Sequence, residues 1–269
     1  QFIGPDSFKV NIYTFHSFCN DVIQENLSLF EKNALNPVSD LEKIQLFKTL
    51  IDNLPKNNVL KRYRGDVYYE VKNLQHLFST MKREGWSAEF VVNNINVYLE
   101  RIKDEEKFKY KRPSKTSDKK VGDYKPAYYE EISKMEKLSA AVHEFENFQN
   151  LMKKNNLYDF DDMINWVIKV FSENKNVLAS YQERFQYILV DEYQDTSGTQ
   201  NEIVRLLISF WESPNVFVVG DDDQSIFRFQ GANIENMENF ANSYNDLLKI
   251  VLINNYRSTK PILDVSKSL

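Results

Sequence analysis

The sequence predicts an α/β fold, a parallel sheet covered by helices, interrupted by a long all-helical insertion. Three observations carry this. The short apolar runs YILV (187–190), VFVV (216–219) and IVLI (250–253) are bounded by polar segments, the pattern of strands buried on both faces. From about 31 to 157 the apolar residues recur only at helical spacing. With 7 Gly and 7 Pro in 269 residues, long regular elements are favoured over a loop-rich β fold.

Taken in order, residues 8–13 (FKVNIY) alternate apolar and polar and predict a strand. It runs into a helix marked by Phe15, Phe18, Cys19 and Val22. In the helical middle, Phe47, Leu50, Ile51 and Leu54 mark one amphipathic helix. Val91, Ile95, Tyr98 and Ile102 mark a second, and Leu138, Ala141, Val142 and Phe145 a third, with no strand among them. The segment 107–120 (KFKYKRPSKTSDKK) is lysine-rich and predicts an exposed, mobile loop, either a solvated connector or a local nucleic-acid contact. Asp159 opens a helix whose Ile164, Val167, Ile168 and Phe171 share a face. Between the first two apolar runs, Thr199 and Glu202 match a capping box ahead of Ile203, Leu206, Leu207 and Phe210, giving a strand–helix–strand crossover. The expected division is 1–30 and 158–269 for the sheet domain, with 31–157 inserted between them.

Composition narrows the function classes. A net charge of −5 argues against a broad basic field that coats nucleic acid, while leaving room for a local basic track. No apolar run approaches the ~18 residues of a membrane span, and no secretion signal is visible, so a cytoplasmic protein is expected. Cys19, the single cysteine, excludes an internal disulfide and reads as a small buried apolar group. The chain opens on Gln1 and stops at Leu269 within a helical pattern, so a piece of a longer protein is expected.

The chemistry gathers at the ends of the apolar runs. YILV leads into Asp191 and Glu192, with Gln194 and Asp195 just beyond, and in parallel sheets ligands sit past the carboxyl ends of strands. Carboxylates there suit Mg²⁺ or activation of water, although acids at a strand end also simply cap the next helix. VFVV leads into GDDDQSIFRFQGA (220–232), where Phe227 and Phe229 stand among polar residues beside Arg228, as aromatic platforms for unpaired bases do. IVLI leads into NNYRST (254–259), placing Tyr256 and Arg257 at the same sheet edge. An arginine there can neutralise charge developing on a transferred phosphoryl group.

Together TFHSF (14–18), YDFDDMI (158–164), YILVDEYQDT (187–196), VVGDDDQSIFRFQGA (218–232) and NNYRST (254–259) resemble, in order and spacing, the UvrD/Rep/PcrA type of superfamily 1 DNA helicase. The resemblance implies a RecA-like P-loop NTPase domain with an inserted all-helical subdomain. It also implies an ATP-driven motor that moves 3′ to 5′ on single-stranded DNA, separates duplex at junctions, and serves repair or recombination. On these positions Asp191 would ligate Mg²⁺ and Glu192 would activate the attacking water. Gln224 would sense the γ-phosphate of ATP, Arg257 would contact it, and Tyr256 would stack on adenine. Thr14, His16, Phe227 and Phe229 would lie against DNA.

The sequence departs from that pattern in two places. None of the glycines, at 4, 65, 85, 122, 198, 220 and 231, begins a G-x-x-x-x-G-K-[ST] phosphate loop, so this stretch alone is expected not to hydrolyse ATP efficiently. At 229–232 the chain reads FQGA, and Gln230 stands where the family commonly has arginine. Two rival readings follow from the same residues. One is a noncatalytic module that binds single-stranded DNA or a partner; the other is a Mg²⁺-dependent phosphohydrolase, which accounts for the acids but not for TFHS, Phe229 or NYRS.

Overall fold

Helices dominate because most apolar residues fall three or four apart. The computed structural model describes residues 4, 10–30, 35–61, 65–112, 120–221, 235–244 and 246–267. In chain order the first elements are α1 (Phe15–Glu25), β1 (Asn36–Pro37), α2 (Asp40–Asn53), α3 (Val71–Glu84), α4 (Ala88–Ile102), α5 (Pro126–His143) and α6 (Phe145–Lys154). They are followed by β2 (Leu157–Tyr158), α7 (Phe160–Glu173), α8 (Lys175–Arg184), β3 (Tyr187–Val190), α9 (Gly198–Ile208), β4 (Asn215–Val218), α10 (Glu235–Asn242) and α11 (Lys260–Lys267).

Among the described residues two apolar cores are the largest. In the first, Phe18, Cys19, Val22 and Ile23 of α1 pack with Ile164, Val167 and Phe171 of α7, and with Leu178, Ile203, Leu206 and Leu207 from α8 and α9. Burial pushes the Cys19 thiol up to about 12, which removes it as a nucleophile and leaves it a packing group. In the second core, α2, α3, α5 and α6 close around Phe47, Phe78 and Phe148; the Phe47 and Phe148 rings stack at 4.1 Å. Proline at the first position of α5 presets a helical φ, and α3 ends on Gly85 in the left-handed region at φ 66°, where a Cβ would be strained.

The chain enters and leaves this second core through one gate. β1 and β2 pair in parallel, Asn36 with Leu157 and Pro37 with Tyr158. Asn36 N–H donates to Asn156 O and Val38 N–H to Tyr158 O, both at 2.8 Å. This short pair corrects the expectation of no strand between 31 and 157; a two-residue strand is too short to leave an alternating pattern.

The main sheet differs from expectation more deeply. β3 and β4 pair in parallel with Tyr187 opposite Asn215 and Val190 opposite Val218, joined through α9 as a crossover. Among the described residues only one face is covered, by Val204 and Ile208 of α9 and Met237 and Phe240 of α10; on the other face Leu189 is 74% exposed and Phe217 also lies open. Strands buried on both faces are therefore not what these runs form among the described residues. IVLI (250–253) forms no strand, and its four side chains are exposed. Of FKVNIY, residues 10–13 form no strand either, and 8 and 9 lie outside the described residues. The common cause is that a strand needs a ladder partner, and among the described residues β3 and β4 pair only with each other.

Two smaller corrections concern ends and loops. The capping box of α9 is built by Ser197 and Gln200, two residues before the expected Thr199 and Glu202, so that Thr199 turns inward to donate to Arg83 O at 2.7 Å. In the lysine-rich stretch Phe108 is buried against Ile102 and Tyr128, and Lys109 bridges to Tyr124, so its start is anchored; 113–119 lie outside the described residues.

Candidate functional site

Immediately past β3 the backbone changes hand. Glu192 sits in the left-handed region at φ 49°, ψ 45°, at a cost of roughly 1–2 kcal/mol for a residue with a Cβ. Its N–H donates to Oδ1 of Asp191 at 3.0 Å. The kink throws the chain into a 3-10 turn, Tyr193–Asp195, which buries Tyr193 and Gln194 and leaves Asp191, Glu192 and Asp195 exposed. Burial thus falls on the uncharged residues and the carboxylates keep their water, as desolvation costs require.

The ends of β3 and β4 are stitched together beyond the ladder. Val219 N–H donates to Val190 O and Tyr193 N–H to Val219 O, each at 2.9 Å. The Gln194 amide continues the seam: Nε2 donates to Oε2 of Glu192 at 2.7 Å, and Oε1 accepts the Asp221 N–H at 3.0 Å.

Asp191 and Glu192 offer hard carboxylate oxygens open to solvent, the donor type Mg²⁺ prefers. Among the described residues no group of three or more His, Cys, Asp or Glu could hold a metal. The donor set therefore fits a Mg²⁺ that keeps several waters and shares its ligands with a phosphate, and does not fit an all-protein cage.

The other expected site residues divide into three sets. Gln224, Phe227 and Phe229 lie outside the described residues. Tyr256, 92% exposed, and Arg257 lie within an Asx turn in which Asn255 Oδ1 accepts the N–H groups of Arg257 and Ser258. Without a strand at 250–253, the expected shared sheet edge is not formed. Among the described residues no hydrogen bond or ion pair joins the Arg257 guanidinium to Asp191 or Glu192.

Thr14 and His16 are brought together by the first turn of α1. Thr14 caps it, Oγ1 accepting the Ser17 N–H at 3.1 Å while the Ser17 hydroxyl accepts the Thr14 N–H at 2.8 Å. Nε2 of His16 is buried with no hydrogen-bond partner among the described residues. Beside it stands Phe160, the exposed first residue of α7, its ring edge-on to His16 at 6.1 Å. From the sequence Phe160 takes no role of its own, because it lies four residues before Ile164 on the apolar stripe of α7 and so reads as one more core residue.

YDFDDMI turns out to be a structural anchor. Lys82, at the end of α3 and with its side chain 3% exposed, donates to Oδ2 of Asp159 at 2.9 Å and lies 2.7 Å from Oδ1 of Asp162. Lys43 reaches the same Asp159 oxygen at 3.2 Å. Burial alone would push the Asp159 carboxyl up, but these two ammonium groups override it and hold it at about 2. Asp159 also caps α7 through Oδ1, which accepts the Asp162 N–H at 3.1 Å.

The chain has relatives among known proteins. The chain is 36% identical over 99% of its length to a probable DNA helicase II homolog of Mycoplasma capricolum, covering 31% of that protein. It is 44% identical over 45% of its length to an ATP-dependent DNA helicase PcrA of Leuconostoc citreum, and 43% identical over 46% to that of Staphylococcus aureus, covering 16% and 17% of those proteins. The chain therefore spans a third or less of each of these relatives. No helix among the described residues is long and apolar enough to cross a membrane. Residues 3–245 match the model of the UvrD/REP helicase N-terminal domain, and the chain belongs to that family.

Proposed function

We propose that the protein carrying this chain is an ATP-dependent DNA helicase of the cytoplasm that moves 3′ to 5′ on single-stranded DNA and opens duplex at junctions, in repair or recombination. Residues 1–30 and 158–269 belong to its first RecA-like domain, and 31–157 form an inserted helical subdomain. The observation that carries this reading is the acidic strand end: solvent-open Asp191 and Glu192, set by a left-handed kink at the carboxyl end of β3, in a chain of helicase ancestry.

Bound Mg²⁺ and ATP supply a polarised γ-phosphoryl group whose charge must be neutralised as it transfers. Toward them, Asp191 offers an oxygen for the metal, and Glu192 accepts a proton from the attacking water. Gln224 and Arg257 face the γ-phosphate and Tyr256 stacks on adenine, which requires 254–259 to approach β3. Thr14, His16, Phe227 and Phe229 lie along the DNA. The open ring of Phe160 beside His16 supports that face as a stacking surface.

The test is steady-state ATP hydrolysis by the full-length protein with and without single-stranded DNA, next to its Glu192→Gln variant. DNA-stimulated hydrolysis that the variant loses is the expected result. Absence of hydrolysis from folded protein that still binds DNA would replace this reading with a noncatalytic DNA-binding module.

A further inference from the structure

Gln194 is 1% exposed, yet both ends of its amide are used, and each reaches a different strand end. Nε2 donates to the carboxylate of Glu192, and Oε1 accepts the backbone N–H of Asp221, just beyond β4. A glycine makes this possible. A Cβ at Gly220 would lie 2.6 Å from Gln194 Oε1 and 3.2 Å from its backbone N, so any side chain there displaces the amide.

The Glu192 carboxylate itself is exposed, on a residue held in an uncommon backbone conformation. An exposed glutamate samples several rotamers, and a base that must meet a water in one geometry loses rate to that freedom. A buried amide gripping one carboxylate oxygen removes it. The other oxygen, Oε1, accepts no hydrogen bond within the seam.

We propose that Gln194 is a positioning residue. It clamps the Glu192 carboxylate at the end of β3 to the backbone at the end of β4, leaving one oxygen free for the water. The inference rests on the hydrolytic role of Glu192 proposed above. It adds that the geometry of this base is set from two strands at once, so that a shift of the 220–221 backbone is transmitted to the carboxylate without any change in Glu192 itself.

The experiment uses the full-length protein, wild type and with Gln194→Leu or Gly220→Ala. Gln194→Leu deletes both hydrogen bonds; Gly220→Ala keeps the amide but pushes it out of place. Three quantities are read: kcat for ATP hydrolysis on single-stranded DNA, the Kd of a nonhydrolysable ATP analogue with Mg²⁺, and amide hydrogen exchange across 219–221 without nucleotide.

Both variants are expected to lower kcat by roughly 10- to 100-fold, as loss of an orienting partner typically does. The Kd should stay within about twofold, and exchange at Asp221 should quicken. Three results overturn the proposal: unchanged exchange, which denies the bond; quicker exchange with unchanged kcat, which leaves Gln194 a strand-end staple only; or a loss of analogue affinity matching the loss of kcat. Failure of the underlying reading looks different, because the wild type then hydrolyses no ATP, and the inference falls with it.

Discussion

Two acidic clusters in this chain have opposite fates. At 159–162 three aspartates begin α7, and at 191–195 three acids follow β3. The first cluster is drawn into the protein: Asp159 and Asp162 meet buried Lys82, and Asp161 accepts from Ser79. The second keeps its carboxylates in water and has no lysine or arginine ion pair among the described residues; its ordering comes from a neutral glutamine. Acids that hold a fold together are neutralised by the fold, whereas acids proposed to receive an incoming cation must be arranged without being neutralised. An amide does that, because it donates a hydrogen bond and carries no charge.

The contrast breaks most visibly at Glu192. Glu192→Gln in the full-length protein should lower kcat by about 10²- to 10⁴-fold while urea stability moves by no more than about 0.5 kcal/mol. A stability loss matching that of the α7 cluster would erase the distinction. Next in size is Lys82→Met, which strands two buried carboxylates with, among the described residues, only Lys43 bonded to one of them. Breaking such a pair costs about 3–5 kcal/mol, readable as a fall in the urea midpoint.

Asp159→Asn sharpens the comparison through pH. The Asp159 carboxyl, held at about 2 against an ordinary 3.8, stabilises the fold above its unfolded value and loses that contribution as pH falls toward 2. The advantage of aspartate over asparagine should therefore be largest at neutral pH and narrow by on the order of 1 kcal/mol by pH 3. A gap independent of pH would mean that the ion pairs contribute nothing beyond the cap. The smallest effect is expected at the lysine-rich stretch. Lys107, Lys109 and Lys111 already pair with Glu105, Asp104 and Glu106 on the surface. Replacing them and Arg112 by alanine should cost at most about 0.5 kcal/mol and leave the salt dependence of DNA affinity unchanged. A flatter slope would show that they exchange those acids for phosphates.

What could be read from the sequence follows from how far each element must reach for its partners. The stripes of α1, α2, α4 and α7 were legible because each helix hydrogen-bonds within itself and shows its buried face every three or four residues. Ile250 to Ile253 resembled a buried strand equally well, yet a strand is made by its neighbour, and none pairs with it among the described residues. Asp191 and Glu192 could be placed at the open end of β3 because strand-end acids are a local pattern. Gln194 and Gly220 act through a contact 26 residues apart in sequence, Lys82 reaches Asp159 across 77, and no local pattern announces either. Tyr256 and Arg257 were identified by motif, but their expected position depended on a strand that does not form.

The gate formed by β1 and β2 bears on how the chain folds. For α1 to find α7, everything between Pro37 and Leu157 must first be looped out, and closing a flexible loop of that size costs about 4 kcal/mol in chain entropy. The four-helix core around Phe47, Phe78 and Phe148 can assemble from nearer contacts, and its first and last helices, α2 and α6, lie side by side. Once it has formed, Asn36 and Leu157 are already neighbours and the long loop has become a short one. The helical region would then act as a kinetic primer, collapsing early and handing the remaining domain a chain whose two distant halves are already in register.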